Sequence, residues 1–172
     1  MRRFTDSDLE PFLAYRNDPA ISRYQSWDIF SRQEALSFIN EQKNLEPCLP
    51  GRWFQFAIEM KQTRALIGDC ALKVDAQDER QAEIGFTLAR DYQGKGYASE
   101  AVGRLLDFLF QEARLHRVVA ITDCENQSSV ALLERIGMRR EGHFIQNIWF
   151  KGKWGDEYLY AILRTEWRAL RR

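Results

Sequence analysis

The sequence predicts an α/β domain whose sheet is mostly antiparallel but contains one parallel crossover, and three observations carry that prediction. First, Ala82, Ile84, Phe86 and Leu88 alternate with Glu83, Gly85 and Thr87, the period of a strand with two chemically different faces. Second, after a turn holding Gly94 and Gly96, the residues Ala98, Ala101, Val102, Leu105, Leu109 and Ala113 recur at three and four, the apolar stripe of a packed helix. Third, Arg117 to Asp123 is a nearly continuous β-branched run, the composition of a strand buried on both faces. A strand, a helix and a strand in that order imply a right-handed parallel crossover. Hairpin patterns before and after this unit make the rest antiparallel.

Taken in order, Thr5-x-x-Asp8 is a capping-box signature, and Leu9, Phe12, Leu13 and Arg16 continue a short helix that Asn17-Asp18-Pro19 stops. Ser31-x-x-Glu34 repeats the signature and opens a helix with Ala35, Phe38 and Ile39 inward, ending before Pro47. Between them, Tyr24, Gln25, Trp27 and Asp28 form a polar and aromatic loop open to two readings, packing or substrate contact. Trp53 to Met60 alternates as a strand, and Leu66 to Asp75 is its hairpin partner across Lys61–Arg64. The Glu83–Ala89 strand follows, then a helix from Gly96 to Glu112 and the Arg117 strand. The segment Glu125 to Met138 is a capped amphipathic helix with Gly137 at its end. Arg139–Phe150 and Glu157–Leu163 close the chain as a strand pair joined by Lys151–Asp156, with 164–172 a polar helical tail.

Size and charge narrow the function. With 172 residues, 45% apolar and 13% aromatic, one domain over 1–172 is the expectation. The 25 basic and 25 acidic side chains cancel, so no global field draws the chain to nucleic acid or anionic lipid. No apolar run approaches the roughly 20 residues that span a bilayer, and Met1–Asp6 lacks the core of a signal peptide; a cytoplasmic protein is expected. Cys48, Cys70 and Cys124 have no C-x-x-C pairing, which predicts reduced thiols, Cys70 and Cys124 within strands. His116 and His143 lack ligand spacing, so no metal is expected.

The glycine turn carries the chemistry. Glycine lets the backbone approach a ligand and turn its N–H groups inward, and the first amides of a helix have no internal partner and bear partial positive charge. Gln93 to Ser99 is therefore suited to a diphosphate. It is not a P-loop, because no Lys-Ser/Thr pair follows Gly96, and it lacks the third glycine of G-x-G-x-x-G.

Gln93-x-x-Gly96-x-Ala98, Asn126-x-x-Ser129 and the Gly137-Met138 ending together resemble the GNAT acetyltransferase superfamily. From about Asp6 to Trp167, with Ala-Glu-Ile-Gly-Phe and Trp-Gly-Asp-Glu-Tyr-Leu-Tyr, the likeness is to its RimJ/RimL-like branch. The resemblance implies a twisted sheet of about six to seven strands, splayed between the fourth and fifth and flanked by about four helices. It also implies transfer of an acetyl group from acetyl-CoA to an amine by direct attack. Two departures stand out: the chain begins so close to Arg3-Phe4 that its first strand is a stub, and Leu133 occupies the position of the tyrosine proton donor found in some members.

On that resemblance the site residues are assigned as follows. Amides from Gly94 through Ser99, including Tyr97 and Ala98, bind the diphosphate, Gln93 closes the loop, and Lys95 either adds charge or is a surface lysine. Phe86, Thr87 and Leu88 offer main-chain groups to the pantetheine arm as a partner strand would, one N–H serving as oxyanion donor. Asn126 pairs with the same arm or simply caps its helix. Glu83 is the candidate base, although four residues at roughly 3.3 Å place its α-carbon about 13 Å from that of Thr87; its rival role is a structural glutamate paired with arginine. Ser129 either donates to the departing thiolate or bonds its own helix. Tyr24, Trp27 and Asp28 are the candidate substrate contacts, with Asp28 and Tyr24 as fallback bases.

These assignments lead to an N-acetyltransferase acting on a protein N-terminus or a small-molecule amine. The competing reading is a catalytically silent acyl-CoA-binding module, since both motifs concern the cofactor. Homodimers are frequent in the family, but no interface is specified by the sequence.

Overall fold

A computed structural model describes residues 1–25, 27 and 29–171. The N-terminal stub survives as a single antiparallel bridge between Arg2 and Ala57, with N–H···O distances of 3.0 and 2.9 Å. A 3₁₀ turn, Asp6–Asp8, leads into α1 (Leu9–Arg16), followed by α2 (Pro19–Ser22) and α3 (Arg32–Asn44). Both sequence-read capping boxes form, at Thr5/Asp8 and Ser31/Glu34. The sheet then builds from β1 (Trp53–Glu59), β2 (Leu66–Val74) and β3 (Gln81–Leu88). A second 3₁₀ turn, Arg90–Tyr92, precedes α4 (Tyr97–Asp107), and a π turn, Phe108–Glu112, leads to β4 (Arg117–Asp123). Next come α5 (Gln127–Arg135), the long hairpin β5 (Arg139–Phe150) and β6 (Lys153–Leu163), and α6 (Arg164–Leu170).

The six strands run β1-β2-β3-β4-β6-β5, antiparallel except for β3 and β4. That parallel pair is short, holding only from Gln81↔Arg117 to Glu83↔Val119. β3 continues to Leu88 along β2, and β4 to Asp123 along β6, so a gap opens between them. Counting the Arg2 stub as a first strand, this is the expected splay between the fourth and fifth.

Two apolar layers hold the sheet. One face carries Phe54, Leu72, Ile84 and Val118 against Val102, Leu105 and Leu109 of α4 and its π extension. The other is covered over β1 and β2 by Phe12 and Tyr15 of α1 and Ile39 of α3. This second cluster contains no β4 residue, which corrects the expectation that β4 is buried on both faces: Val118 and Ala120 are buried while Ile121 is 42% exposed. Two further expectations shift. The final turn is only Lys151-Gly152, with φ of 47° and 84°, the positive pair of a two-residue hairpin turn, so β6 begins earlier than read. Cys124 lies in the turn after β4 and not within a strand. Among the described residues no helix is long and apolar enough to cross a membrane.

The N-terminal stub is secured by charge. Arg2 donates to Asp8 at 2.6 and 2.8 Å and to Glu59 at 2.5 Å. Burial works against the Asp8 carboxylate, but Arg2, with the Thr5 amide, outweighs it and holds the acid below its ordinary range. A depressed carboxyl contributes stability above its unfolded pKa and loses it as pH falls through the folded value. Asp8→Asn is therefore expected to flatten the acid limb of a melting-temperature profile below about pH 4, the wild type falling more steeply there; parallel profiles would show that the ion pair contributes nothing.

Candidate active site

The gap between β3 and β4 opens into a cavity of about 530 Å³, a size suited to a small-molecule ligand. Its floor is Phe86, Thr87 and Leu88 of β3; one wall is the loop and first turn of α4, with Gln93, Gly94, Gly96, Tyr97, Ala98 and Ser99; the other is the start of α5, with Asn126 and Ser129. Tyr24 closes it from above. Most of the sequence-predicted residues are thus brought together.

The loop has the donor chemistry expected of a diphosphate cradle. Gly94 and Gly96 hold φ of 71° and 85°, and a β-carbon added to either would meet nothing within 4 Å, so both face open space. Among the described residues, none of the amides of Gly94, Lys95, Gly96, Tyr97, Ala98 and Ser99 donates a backbone hydrogen bond outside the helix, the first closure being Glu100 N–H to Gly96 O at 3.0 Å. The loop is braced from beneath, where Gln93 Nε2 donates to Leu88 O at 2.8 Å.

Strand alternation aims the floor. Ala89 N–H donates to Ile67 O on β2 at 2.8 Å, so Thr87 also faces β2 while Phe86 and Leu88 turn their main-chain groups toward the gap. β2 can approach this closely only because residue 68 is glycine: a β-carbon there would lie 2.2 Å from Thr87 O. At the far wall, Asn126 Oδ1 caps α5 by accepting from Ser129 N–H at 3.2 Å. Neither Asn126 Nδ2 nor the Ser129 hydroxyl has a hydrogen-bond partner among the described residues. Leu133 is buried in the core and brings no hydroxyl to the site.

Other predicted residues lie elsewhere. Glu83 does not line the cavity; it sits where β3 is still paired to both neighbours and meets Lys73 Nζ at 3.1 Å. Its partner is lysine across the β2–β3 ladder, where the rival reading expected arginine. Lys95 turns back to Asp91 O at 2.8 Å, away from the cavity. Trp27 packs over the Arg16 guanidinium at 3.7 Å and donates to Arg16 O at 3.2 Å, the packing role of an aromatic loop residue. Asp28 falls outside the described residues. Tyr24 does reach across, its hydroxyl donating to Glu125 O at 3.2 Å. Lys151 in the hairpin turn holds Ser22 O at 2.5 Å and Trp27 O at 3.2 Å, so the segment after α2 is tied to the β5–β6 hairpin.

Sequence reading missed two features. Arg135 lines the cavity from the last turn of α5 and is the one ionised side chain among its described lining residues; its place in the motif helix was the only signal. Opposite Thr87 on β2, Asp69 is buried with Arg16, accepting from Arg16 Nη2 at 2.8 Å and from the Tyr15 hydroxyl at 2.5 Å. Burial, reinforced by the Asp69 charge, keeps the Tyr15 hydroxyl protonated far above its usual range.

The profile of the acetyltransferase (GNAT) domain family matches residues 1–139. An uncharacterized N-acetyltransferase, YnaD, of Bacillus subtilis is 35% identical over 169 residues, covering 97% of this chain and 94% of the relative. The crystal structure of a GNAT-family acetyltransferase from Bacillus anthracis superimposes with a TM-score of 0.86 at 33% identity, over 96% of this chain and 94% of that one. The spermidine N-acetyltransferase of Vibrio cholerae, crystallised with CoA and spermine, gives 0.83 at 26% identity, over 97% and 96%.

Proposed function

This chain belongs to the GNAT family of acetyl-CoA-dependent N-acetyltransferases, and from that premise we propose that the cavity between β3 and β4 is its active site and that the acceptor is a primary amine. The observation that supports this most is the row of amides from Gly94 to Ser99 without partners among the described residues, set beside a strand edge that faces an open gap.

When bound, acetyl-CoA supplies a thioester whose acetyl group can pass to an amine. The loop amides and the positive end of α4 neutralise the diphosphate. Phe86 and Leu88 present N–H groups along the gap to the amide-bearing arm, and one of them serves as oxyanion donor, a role worth about 3 kcal/mol where such donors have been removed. Asn126, its Oδ1 spent on the helix cap, offers Nδ2 to the same arm. The Ser129 hydroxyl stands ready to donate toward the departing sulfur, which needs no strong acid because thiols ionise near pH 8.5.

The proton on the amine is handled differently from the sequence expectation. No carboxylate or imidazole lies among the described lining residues, and Glu83 is engaged with Lys73. An amine with a pKa near 10.4 must arrive neutral or lose its proton to water. The acceptor kcat/KM is accordingly expected to rise about tenfold per pH unit from 6 to 9, with Glu83→Gln within about twofold of wild type throughout. A plateau above pH 7 that Glu83→Gln abolishes would restore Glu83 as the base.

For the acceptor, the relative crystallised with spermine supports a polyamine-like small amine, and the RimJ/RimL-like resemblance a protein N-terminus. A panel of diamines, polyamines and short peptides, read by free thiol released from acetyl-CoA, tests both. Release with one class identifies the acceptor. No release with any amine, despite CoA binding, would favour the silent acyl-CoA-binding module.

A further inference from the structure

Beyond Glu83, β3 has a partner strand on one side only among the described residues, through the pairs Thr87↔Asp69 and Leu88↔Gly68. The stretch that faces the gap therefore takes its course from β2. We infer that Gly68 and Asp69 of β2 are positioning residues for acetyl transfer: they draw Thr87 and Leu88 back from β4 and so fix the main-chain N–H that serves as oxyanion donor. The inference rests on the active-site reading of the gap and extends it to a strand with no residue among the described lining of the cavity.

β2 is bulged at this point. Ile58 pairs with Gly68 but Glu59 pairs with Leu66, so Ile67 is an extra residue against β1. A bulge bends its strand and raises the local twist, and Ile67 O accepts from the Ala89 N–H at 2.8 Å, just past the end of β3. Next to the bulge the two strands meet through main chain alone. A β-carbon on residue 68 would lie 2.2 Å from Thr87 O, 2.9 Å from Leu88 Cα and 3.1 Å from Thr87 C. Backbone atoms cannot swing aside as a side chain can, so any larger residue would part the strands until the first of these contacts opened to at least 3.0 Å.

The anchors decide which strand yields. Residues Leu66 to Leu72 of β2 are all buried, and Asp69 is clamped to α1 by Arg16 Nη2 at 2.8 Å and the Tyr15 hydroxyl at 2.5 Å. β3 has no such hold on the gap side, so Thr87 and Leu88 would move into the gap by most of an ångström. A displacement of that order at a reacting centre can cost about 100-fold in rate. Twisting the sheet is the structural use of a bulge, but twist alone does not require so close an approach at the two residues beside the gap. Gly85, on the same β2–β3 ladder, shows the contrast: a β-carbon there would meet Ala71 Cβ at an ordinary 3.8 Å.

The test is carbon NMR on the full chain with acetyl-CoA isotopically labelled at the acetyl carbonyl, with no acceptor amine added. Donation to the carbonyl oxygen draws electron density from the carbon and moves its resonance downfield, so the signal reports the oxyanion donor directly. The wild-type complex is expected to show the carbonyl downfield of free acetyl-CoA. Gly68→Ala is expected to lose most of that displacement while binding coenzyme A within about tenfold of wild type by calorimetry, and Gly85→Ala to keep all of it. A displacement kept in full by Gly68→Ala, or lost equally by Gly85→Ala, would overturn the assignment while leaving the diphosphate cradle intact. Should Gly68→Ala not fold, Asp69→Asn, which adds no bulk and weakens the hold of α1 on β2, is expected to lose part of the displacement, and full retention there would equally overturn the assignment. A bound wild-type carbonyl that coincides with the free one would overturn the oxyanion donor and its positioning together, and failure of the wild type to bind coenzyme A at all would overturn the active-site reading itself.

Discussion

Gly96→Val is expected to weaken coenzyme A binding by about 100-fold, equivalent to about 2.8 kcal/mol, while the chain stays folded. Gly96 holds φ of 85° as the N-cap of α4, a conformation that costs an ordinary residue about 1–2 kcal/mol. Its missing β-carbon points into open space within the cavity. Valine would fill the volume that phosphate oxygens need and would distort the turn that gathers the amides. The strain alone predicts a fall in melting temperature of several degrees, at about 2–4 °C per kcal/mol for a chain of this size. Binding and stability therefore separate: calorimetry reports the first and a thermal melt the second. Affinity within about threefold of wild type in a folded variant would mean that the phosphates sit elsewhere.

Asp69→Ala carries the second large effect, on stability. Arg16 is 2% exposed and Asp69 1%. Without the carboxylate, Arg16 keeps, among the described residues, Gln55 Oε1 at 2.6 Å and the rings around it, while the Tyr15 hydroxyl loses its acceptor. Arg16 Nε already lacks a hydrogen-bond partner among the described residues. Removing one member of a buried pair leaves an uncompensated charge and costs about 3–5 kcal/mol, or on the order of 10 °C in melting temperature. The double variant Arg16→Met/Asp69→Leu is expected to be less destabilised than Asp69→Ala alone, because no charge is stranded. If the double variant melts below the single one, the pair contributes more than its own desolvation. Since Asp69 lies opposite Thr87 and Arg16 carries Trp27, the same network fixes the floor of the cavity and the segment above it.

What the sequence made legible was local. Capping boxes at Thr5/Asp8 and Ser31/Glu34 are complete within four residues, and both formed. The Gly94–Gly96 turn needs left-handed backbone that glycine alone adopts freely, so its shape could be read directly. The gap between β3 and β4 was expected from the family resemblance, not from the strand pattern, because alternation says which face a residue takes and not where pairing ends. Partners distant in the chain were illegible for the same reason. Glu83 meets Lys73 because of a β2–β3 register that no local pattern encodes, and Asp69 meets Arg16 across 53 positions. Trp27 could pack or bind on the sequence alone, and its contact with the Arg16 guanidinium, eleven residues back, could not be read from any local pattern. Arg135 was hidden because a lysine or arginine in the last turn of a helix already has a sufficient local reason to be there.

The central claim is that main-chain hydrogens around Gly94 and Gly96 hold the cofactor's diphosphate. Amide hydrogen exchange, followed residue by residue with and without coenzyme A, tests it most directly. The amides of Gly94 through Ser99, which have no acceptor among the described residues, are predicted to exchange fast alone and to become protected when coenzyme A is present, together with Phe86 and Leu88. Protection confined to another surface, with the 94–99 amides still exchanging freely, would contradict the account.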